Sequence, residues 1–322
     1  MTEQIMQAIR VYQYGGPEQL KLEDIPRPEP GLGEVLIRIH TAGVLPAEWK
    51  MRQGFFQTIF PASFPYIPGS AMAGVIEEVG PGVVSFQKGQ AVFGRSTHGA
   101  YAEYTTTEVE PPALKPNTFS LLALKPKELS FAEAATLSGG ATIAWTGLFG
   151  DGQLQKGQSV LIHGAAGGVG LFAVQFARWK GANVIATTST ANVNFVRALG
   201  AETVIDYTKT PFEQVVHNVD LVLDTIGGET LERSMHVLKA GGTLISLLEQ
   251  PDQEKALALG ISARKNSFAP TSEHLRSIAN LIAEEKVKPV VGKLFPLHEA
   301  QQAHILSQSG HGRGRIVLQI TA

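Results

Sequence analysis

The hydrophobic positions of this 322-residue chain fall into two unlike patterns. Up to about residue 127 they come as short runs broken by turn residues. The run at 35–39 follows Pro26, Pro28, Pro30, Gly31 and Gly33; the run at 74–79 enters Gly80-Pro81-Gly82; the run at 90–93 enters Gly94. Short β-segments at this spacing predict an antiparallel barrel or sandwich. From about residue 128 the pattern becomes an alternation. Apolar runs at 159–163, 183–187, 203–205, 220–224 and 243–247 are separated by helical stretches at 169–180, 192–199, 211–217 and 229–238. That alternation predicts an α/β domain with a doubly wound parallel sheet, covered by helices on both faces. Residues 131–149 read as a helix broken at Gly139-Gly140, residues 273–285 as a further helix, and residues 315–320 as one more strand. Returning that lone strand to the first domain makes the domain discontinuous: 1–127 with 288–322, around a parallel-sheet domain at 128–287.

Composition narrows the function. The net charge is −2, which offers no basic field for nucleic acid or acidic lipid. There is no cysteine, so disulfides, thiolate nucleophiles and cysteine-based metal sites are excluded. The first residues, MTEQIMQAIRVYQYGG, lack the apolar core of a signal peptide, and the cytoplasm is the expected compartment. Residues 159–177 are long and nearly uncharged but hold four glycines with His163 and Gln175, which argues against a membrane span. Residues 113–120 recur ten positions later as 123–130. A lengthened surface loop is the plain reading, and a loop that touches substrate or partner the alternative.

The strongest motif is Gly164-Ala165-Ala166-Gly167-Gly168-Val169-Gly170 between an apolar run and a helix. In a strand–turn–helix the first glycine allows a tight turn, Gly167 lets backbone approach a pyrophosphate, and Gly170 lets helix pack on strand. The helix start then favours phosphate charge. A dinucleotide is the implied ligand. An NAD site ends its second strand with an acid about 20 residues on. Here that strand ends Ala186-Thr187-Thr188-Ser189-Thr190, and the first acid is Glu202. Hydroxyls in place of a carboxylate, with Arg197 a helix away, favour NADPH; helix capping by those hydroxyls is the alternative.

Together the segments AGVLPAEWKMRQG, FPYIPGSAMAGVIEEVGPGV, GAYAEY, LIHGAAGGVG, LDTIGGETLERS and GRGRIVL resemble the medium-chain dehydrogenase/reductase superfamily, nearest its zinc-free quinone oxidoreductase and enone or alkenal reductase branch. The resemblance implies a GroES-like substrate domain built from both chain ends, a Rossmann domain between them, and a homodimer. Zinc-dependent members carry ligands at the positions of Leu45, Ser70 and Ser138, none of which suits zinc. The resemblance also implies that Thr142 and the Asp224-Thr225-Ile226 strand end approach the nicotinamide side. Tyr207, Arg313 and Arg315 become candidates for cofactor phosphates, with ring packing the alternative for Tyr207 and a solvated strand charge for Arg315.

The chain departs from that branch where chemistry is expected. Leu45-Pro46 stands for Asn-Pro, Glu48 for Asp, Ala71 for Asp, and Ser138-Gly139-Gly140 replaces a bulkier run. Fewer polar groups and a glycine pair imply an apolar, roomier pocket around Leu45, Phe55, Tyr66, Ser138 and Gly139, suited to a bulky substrate. Tyr66 and Glu48 are the candidates for proton delivery, with packing the alternative for each. Phe55, Phe56, Phe60 and Phe64 are either cleft wall or core. The expected activity is NADPH-dependent, metal-free reduction of an unsaturated carbonyl or a quinone. The alternatives are specialised or non-redox chemistry on the same fold, or a cofactor-binding sensor or structural protein.

Overall fold

The computed structural model describes residues 4–109, 121–267, 269–310 and 312–321. It opens with β1 (Ile5–Arg10), β2 (Lys21–Pro26), β3 (Glu34–Val44), α1 (Pro46–Arg52), β4 (Ala71–Val79), β5 (Ala91–Arg95), β6 (Tyr104–Glu108) and β7 (Leu122–Leu124). Helices α2 (Phe131–Ala135) and α3 (Thr142–Trp145) follow. The alternating part is β8 (Ser159–Ile162), α4 (Gly170–Lys180), β9 (Asn183–Thr188), α5 (Val193–Leu199), β10 (Thr203–Asp206), β11 (Val219–Asp224), α6 (Gly228–Ser234), β12 (Leu238–Ser246), α7 (Gln253–Ala258) and β13 (Ser262–Lys265). The chain ends with α8 (Ser272–Ala283), β14 (Val291–Pro296), α9 (Ala300–Gln308) and β15 (Arg315–Gln319).

Two compact units result: Met1–Gly139 with Thr271–Ala283 and Pro289–Ala322, and Gly140–Pro270 with Glu284–Lys288. The first is built on a sheet ordered β14-β15-β3-β4-β5-β7, with β6 also on β3. Its core gathers Ile37, Ile39, Met72, Ile76, Val92 and Leu318; each such burial contributes ~1.5–3 kcal/mol. The C-terminal strand does return: β15 runs antiparallel to β3, with Ile316 opposite Val44 and Leu318 opposite Ala42. Two segments expected in the parallel-sheet domain pack here instead. Ser130 and Glu133 form a reciprocal cap that starts α2, and α2 lies so close to β3 that a Cβ on Gly43 would sit 2.7 Å from the Ala135 carbonyl. Helix α8 buries Leu275 and Ile278 fully, and its Ser272 hydroxyl meets the Leu122 amide of β7.

Of the repeated segment, 113–120 lies outside the described residues. The second copy is no plain surface loop: Ala123 pairs with Phe93 in the sheet, Leu129 is buried and Ser130 caps α2.

The second unit is a six-stranded parallel sheet ordered β10-β9-β8-β11-β12-β13. Counted within the unit this is 3-2-1-4-5-6, the dinucleotide-binding order, whose switch point lies between β8 and β11. Val160, Leu161 and Ile162 of β8 are fully buried, as an apolar run in a twice-covered sheet should be. Gln175 of α4 holds residues 284–288 in this unit by bonds to both backbone groups of Lys288. The stretch at 159–177 folds as β8, a turn and part of α4, and no helix among the described residues is long and apolar enough to cross a membrane.

Three local expectations change. The Gly139-Gly140 pair does not break its helix; the backbone widens into π-helical turns at Leu137–Ala141 and Thr146–Asp151. The helix expected at 211–217 shrinks to one 3-10 turn, Phe212–Gln214, between Pro211 and the left-handed Asn218 (φ 56°). Strand β13 went unforeseen because Ser-Ala-Arg-Lys is no apolar run, as suits a sheet edge.

Candidate functional site

The turn after β8 is shaped by its glycines in different ways. Gly164 has φ 65°, and a Cβ there would lie 2.3 Å from Thr225 Oγ1, whose hydroxyl donates to the His163 carbonyl at 2.9 Å. A Cβ on Gly170 would lie 2.2 Å from the Gly164 carbonyl oxygen, so helix and turn touch through bare backbone. Gly167 is different. A Cβ there would meet only the Gly164 oxygen, at 3.3 Å, with open space beyond. Ala165 and Ala166 are buried, whereas Gly168 and Val169 are half-exposed before α4 begins. The fold therefore requires glycine at 164 and 170 but not at 167, and the leading end of α4 lends the turn positive character.

Beside the turn, His163 is nearly fully buried. Its Nε2 lies 2.9 Å from Ser234 Oγ, which donates its own proton to the Thr230 carbonyl. Nε2 must then be the protonated nitrogen, and Nδ1 accepts the Thr187 hydroxyl at 2.9 Å. Burial lowers the imidazole pKa to about 3. At the strand end Thr187 and Thr188 are both buried, and the Thr187 hydroxyl donates to His163, which leaves it no proton for a phosphate. Ser189 accepts from the Asn192 side chain, and Arg197 donates along α5 to Asn194. An acid does stand at the end of the neighbouring strand. Asp206, opposite Thr188 in β10, accepts the Thr190 hydroxyl at 2.6 Å and the Thr208 hydroxyl at 2.7 Å. Those bonds lower its pKa to about 2.

A hollow of about 280 Å³ opens here, lined by His163, Thr187, Tyr207, Phe212, Ile226 and Arg233 among others. Phe212 meets the His163 ring edge-on at 4.6 Å, and the Arg233 guanidinium lies 5.2 Å above it, paired with Glu213 at 2.8 Å. Asp224 is fully buried and fixes the strand end by accepting from the Ile226 and Gly227 amides; burial raises its pKa. Thr142 is buried at the start of α3. His163, Phe212, Thr230 and Arg233 escaped the sequence reading. Only the position of His163, directly before the first glycine, was a usable signal.

In the first unit the candidate pocket residues turn inward. Leu45 is buried, and a Cβ on Gly139 would lie 2.4 Å from its Cδ2. The glycine pair therefore opens no room: the leucine fills it. Ser138 is fully buried too. Glu48 accepts from the Leu45 amide (2.8 Å), the Ser70 amide (3.0 Å) and the Tyr101 hydroxyl (2.7 Å). Burial raises its pKa, but with both oxygens engaged it fastens the start of α1 rather than offering a proton. Tyr101 also meets His304 Nε2 at 3.1 Å, and burial lowers the His304 pKa to about 3. Tyr66 is half-buried, its Oη has no hydrogen-bond partner among the described residues, and burial pushes its pKa up to about 12.

Arg315 is neither a solvated strand charge nor placed for a phosphate. It is buried near Glu48 and Tyr101, and desolvation lowers its pKa to about 10. Arg313 is exposed. Phe55 and Phe60 are largely exposed, which removes them from the core.

The comparisons follow this geometry closely. Residues 31–116 match the model described as an alcohol dehydrogenase GroES-like domain, and residues 199–318 the model of a zinc-binding dehydrogenase. The chain is 34% identical to a quinone oxidoreductase of Rattus norvegicus, over 98% of each chain. It belongs to the medium-chain dehydrogenase/reductase superfamily. It is also 33% identical to an NADPH-dependent alkenal/one oxidoreductase, chloroplastic, of Arabidopsis thaliana, over 95% of this chain and 77% of that protein. A mycobacterial structure complexed with NADPH superposes with a TM-score of 0.87 at 30% identity, covering 98% of this chain and 100% of the other. The chain is thus an oxidoreductase of the quinone and alkenal reductase type. Zinc, named in one family description, does not suit the donor set: the resemblance puts Leu45, Ser70 and Ser138 at the ligand positions, the chain has no cysteine, and among the described residues no three His, Asp or Glu side chains are grouped to hold a metal ion.

Proposed function

We propose that the chain is an NADPH-dependent reductase that works without zinc on the activated C=C of an enone or alkenal, or on a quinone. The observation that carries the dinucleotide is the open face of Gly167 between two glycines the fold itself requires, and its NADPH form is supported by the relative named as NADPH-dependent and the neighbour complexed with NADPH. A side chain is missing there because something else must come close. Gly167, Gly168 and Val169 would hold the diphosphate against backbone and the leading end of α4. The hollow at Phe212, Ile226 and Arg233 would take the adenine by stacking and cation–π contact. Tyr207 stands at its rim, and Asp224 and Thr225 hold the strand end toward the nicotinamide side. Bound there, the dinucleotide supplies the hydride.

As negative charge develops on the acceptor oxygen, a proton or donor is needed. Of the two candidates, Tyr66 keeps an uncommitted proton at neutral pH and Glu48 does not. The Leu45–Gly139 packing removes the reason to expect an enlarged pocket, so the substrate is proposed by its chemistry and not by its bulk. The expected assembly is a homodimer in the cytoplasm, joined through an edge of the parallel sheet. An NADPH-consumption screen over quinones, short alkenals and cyclic enones tests the activity. With NADPH carrying deuterium at both C4 positions and an enone or alkenal as acceptor, the reduced product should carry deuterium on carbon; product without it contradicts the hydride route.

A further inference from the structure

We infer that Asp206 sets the balance between NADPH and NADH. It does so by drawing the hydroxyl protons of Thr190 and Thr208 away from the ribose end, leaving Lys209 to favour the 2′-phosphate. The inference rests on the dinucleotide reading above and sharpens it.

The loop after β9 and the turn after β10 lie side by side at the carboxyl ends of adjacent strands, where Asp206 pairs with Thr188. The second strand's end is where the adenosine ribose of a bound dinucleotide is read. One carboxylate organises both segments. Its Oδ2 accepts the Thr190 hydroxyl at 2.6 Å and faces Lys209 Nζ at 3.5 Å. Its Oδ1 accepts the Thr208 hydroxyl at 2.7 Å and the Thr208 amide at 3.1 Å. A carboxylate has about four lone-pair sites, and these partners occupy them.

The consequence concerns polarity. Each threonine has one hydroxyl proton, and bonds to a charged acceptor outcompete neutral ones. The two hydroxyl oxygens, 2.9 Å apart, both send their protons to Asp206. Thr190 and Thr208 are exposed, and what remains on their oxygens is lone pairs. Lone pairs accept a ribose 2′-hydroxyl but oppose a phosphate, which brings only acceptors. The ionised Asp206 adds repulsion of the same sign. Against this stands Lys209, two-thirds exposed on the same turn. Arg197, the cation expected from sequence, donates to Asn194 along its own helix. The site is therefore a balance: one cation favouring the phosphate, one carboxylate with two reversed hydroxyls favouring the bare ribose. NADH stays a competent donor.

The test is the ratio of kcat/KM for NADPH to that for NADH, with binding of each followed by nicotinamide fluorescence. Asp206→Asn removes the charge and releases a hydroxyl proton, and should raise the ratio about tenfold; Lys209→Ala should lower it about tenfold. In Lys209→Ala, where the Asp206 carboxylate faces the phosphate without its cation, added salt should raise the ratio, and more than it does in the wild type, where the two charges offset each other. A ratio unmoved by both substitutions, in protein that binds dinucleotide, overturns the inference. Wild-type protein that binds neither dinucleotide overturns the functional reading instead. If Asp206→Asn fails to fold, the exposed Lys209→Ala and the salt dependence decide alone.

Discussion

The two units spend their polar groups in opposite directions. In the parallel-sheet unit the open features are what is withheld: no side chain at Gly167, a hollow lined by Gly164 of the same turn, and buried His163 and Asp224 holding the surrounding turns in place. In the first unit the polar groups face inward. Glu48 ties Leu45, Ser70 and Tyr101 together, and Leu45 closes the space over Gly139. Of the positions that the resemblance assigns to zinc ligands in zinc-dependent members, Leu45 and Ser70 are here joined by a carboxylate bonded to both their backbone amides, and Leu45 packs on Gly139, next to Ser138. One unit is arranged to be approached, the other to hold itself together.

Breaking the inward network should have the largest effect on stability. Glu48→Ala would strand two amides and a buried hydroxyl, costing about 3–5 kcal/mol in denaturant unfolding; a loss below 1 kcal/mol would show that Glu48 is not the fastening. Gly139→Ala should cost about 1–3 kcal/mol through overpacking against Leu45. Adding Leu45→Ala should recover part of that loss, and strict additivity of the two changes would deny the contact.

The buried imidazoles give a pH dependence. His163 and His304 have folded pKa values of about 3, below the ordinary 6.5. Between those values the unfolded chain binds more protons, so their contribution is complete above about pH 6.5 and is lost as pH falls toward 3. Each adds a slope of up to about 1.4 kcal/mol per pH unit. Buried Glu48 and Asp224, whose pKa values are raised, act in the opposite sense. Comparing the wild type with His163→Asn isolates one imidazole, and an unchanged slope would mean that His163 is not held neutral. The smallest stability effect belongs to Tyr66→Phe, which removes a hydroxyl without a hydrogen-bond partner among the described residues and should leave melting unchanged or slightly raised. If Tyr66 supplies the proton, turnover falls while NADPH affinity stays.

The same contrast governs what the sequence could reveal. The glycine turn, the apolar runs and the returning C-terminal strand act through backbone geometry and burial, which leave a periodic or spaced trace. The inward turning of Leu45, Thr187, Ser138 and Arg315 leaves none, because it depends on which distant residue lies opposite. Gly139 reads as empty space until Leu45 is seen to fill it. Thr187 reads as a surface hydroxyl until His163, 24 positions earlier, takes its proton. Asp206 belongs to a different strand from the one where an acid is sought, and only pairing in the sheet brings it to Thr190.

The most direct test is NADPH titration of the wild type beside Gly167→Val, with thermal melting of both. The valine side chain meets little of the protein itself, so melting should hold within a few degrees while affinity falls at least about 100-fold. Undiminished affinity in a folded Gly167→Val protein would contradict a diphosphate lying against that turn.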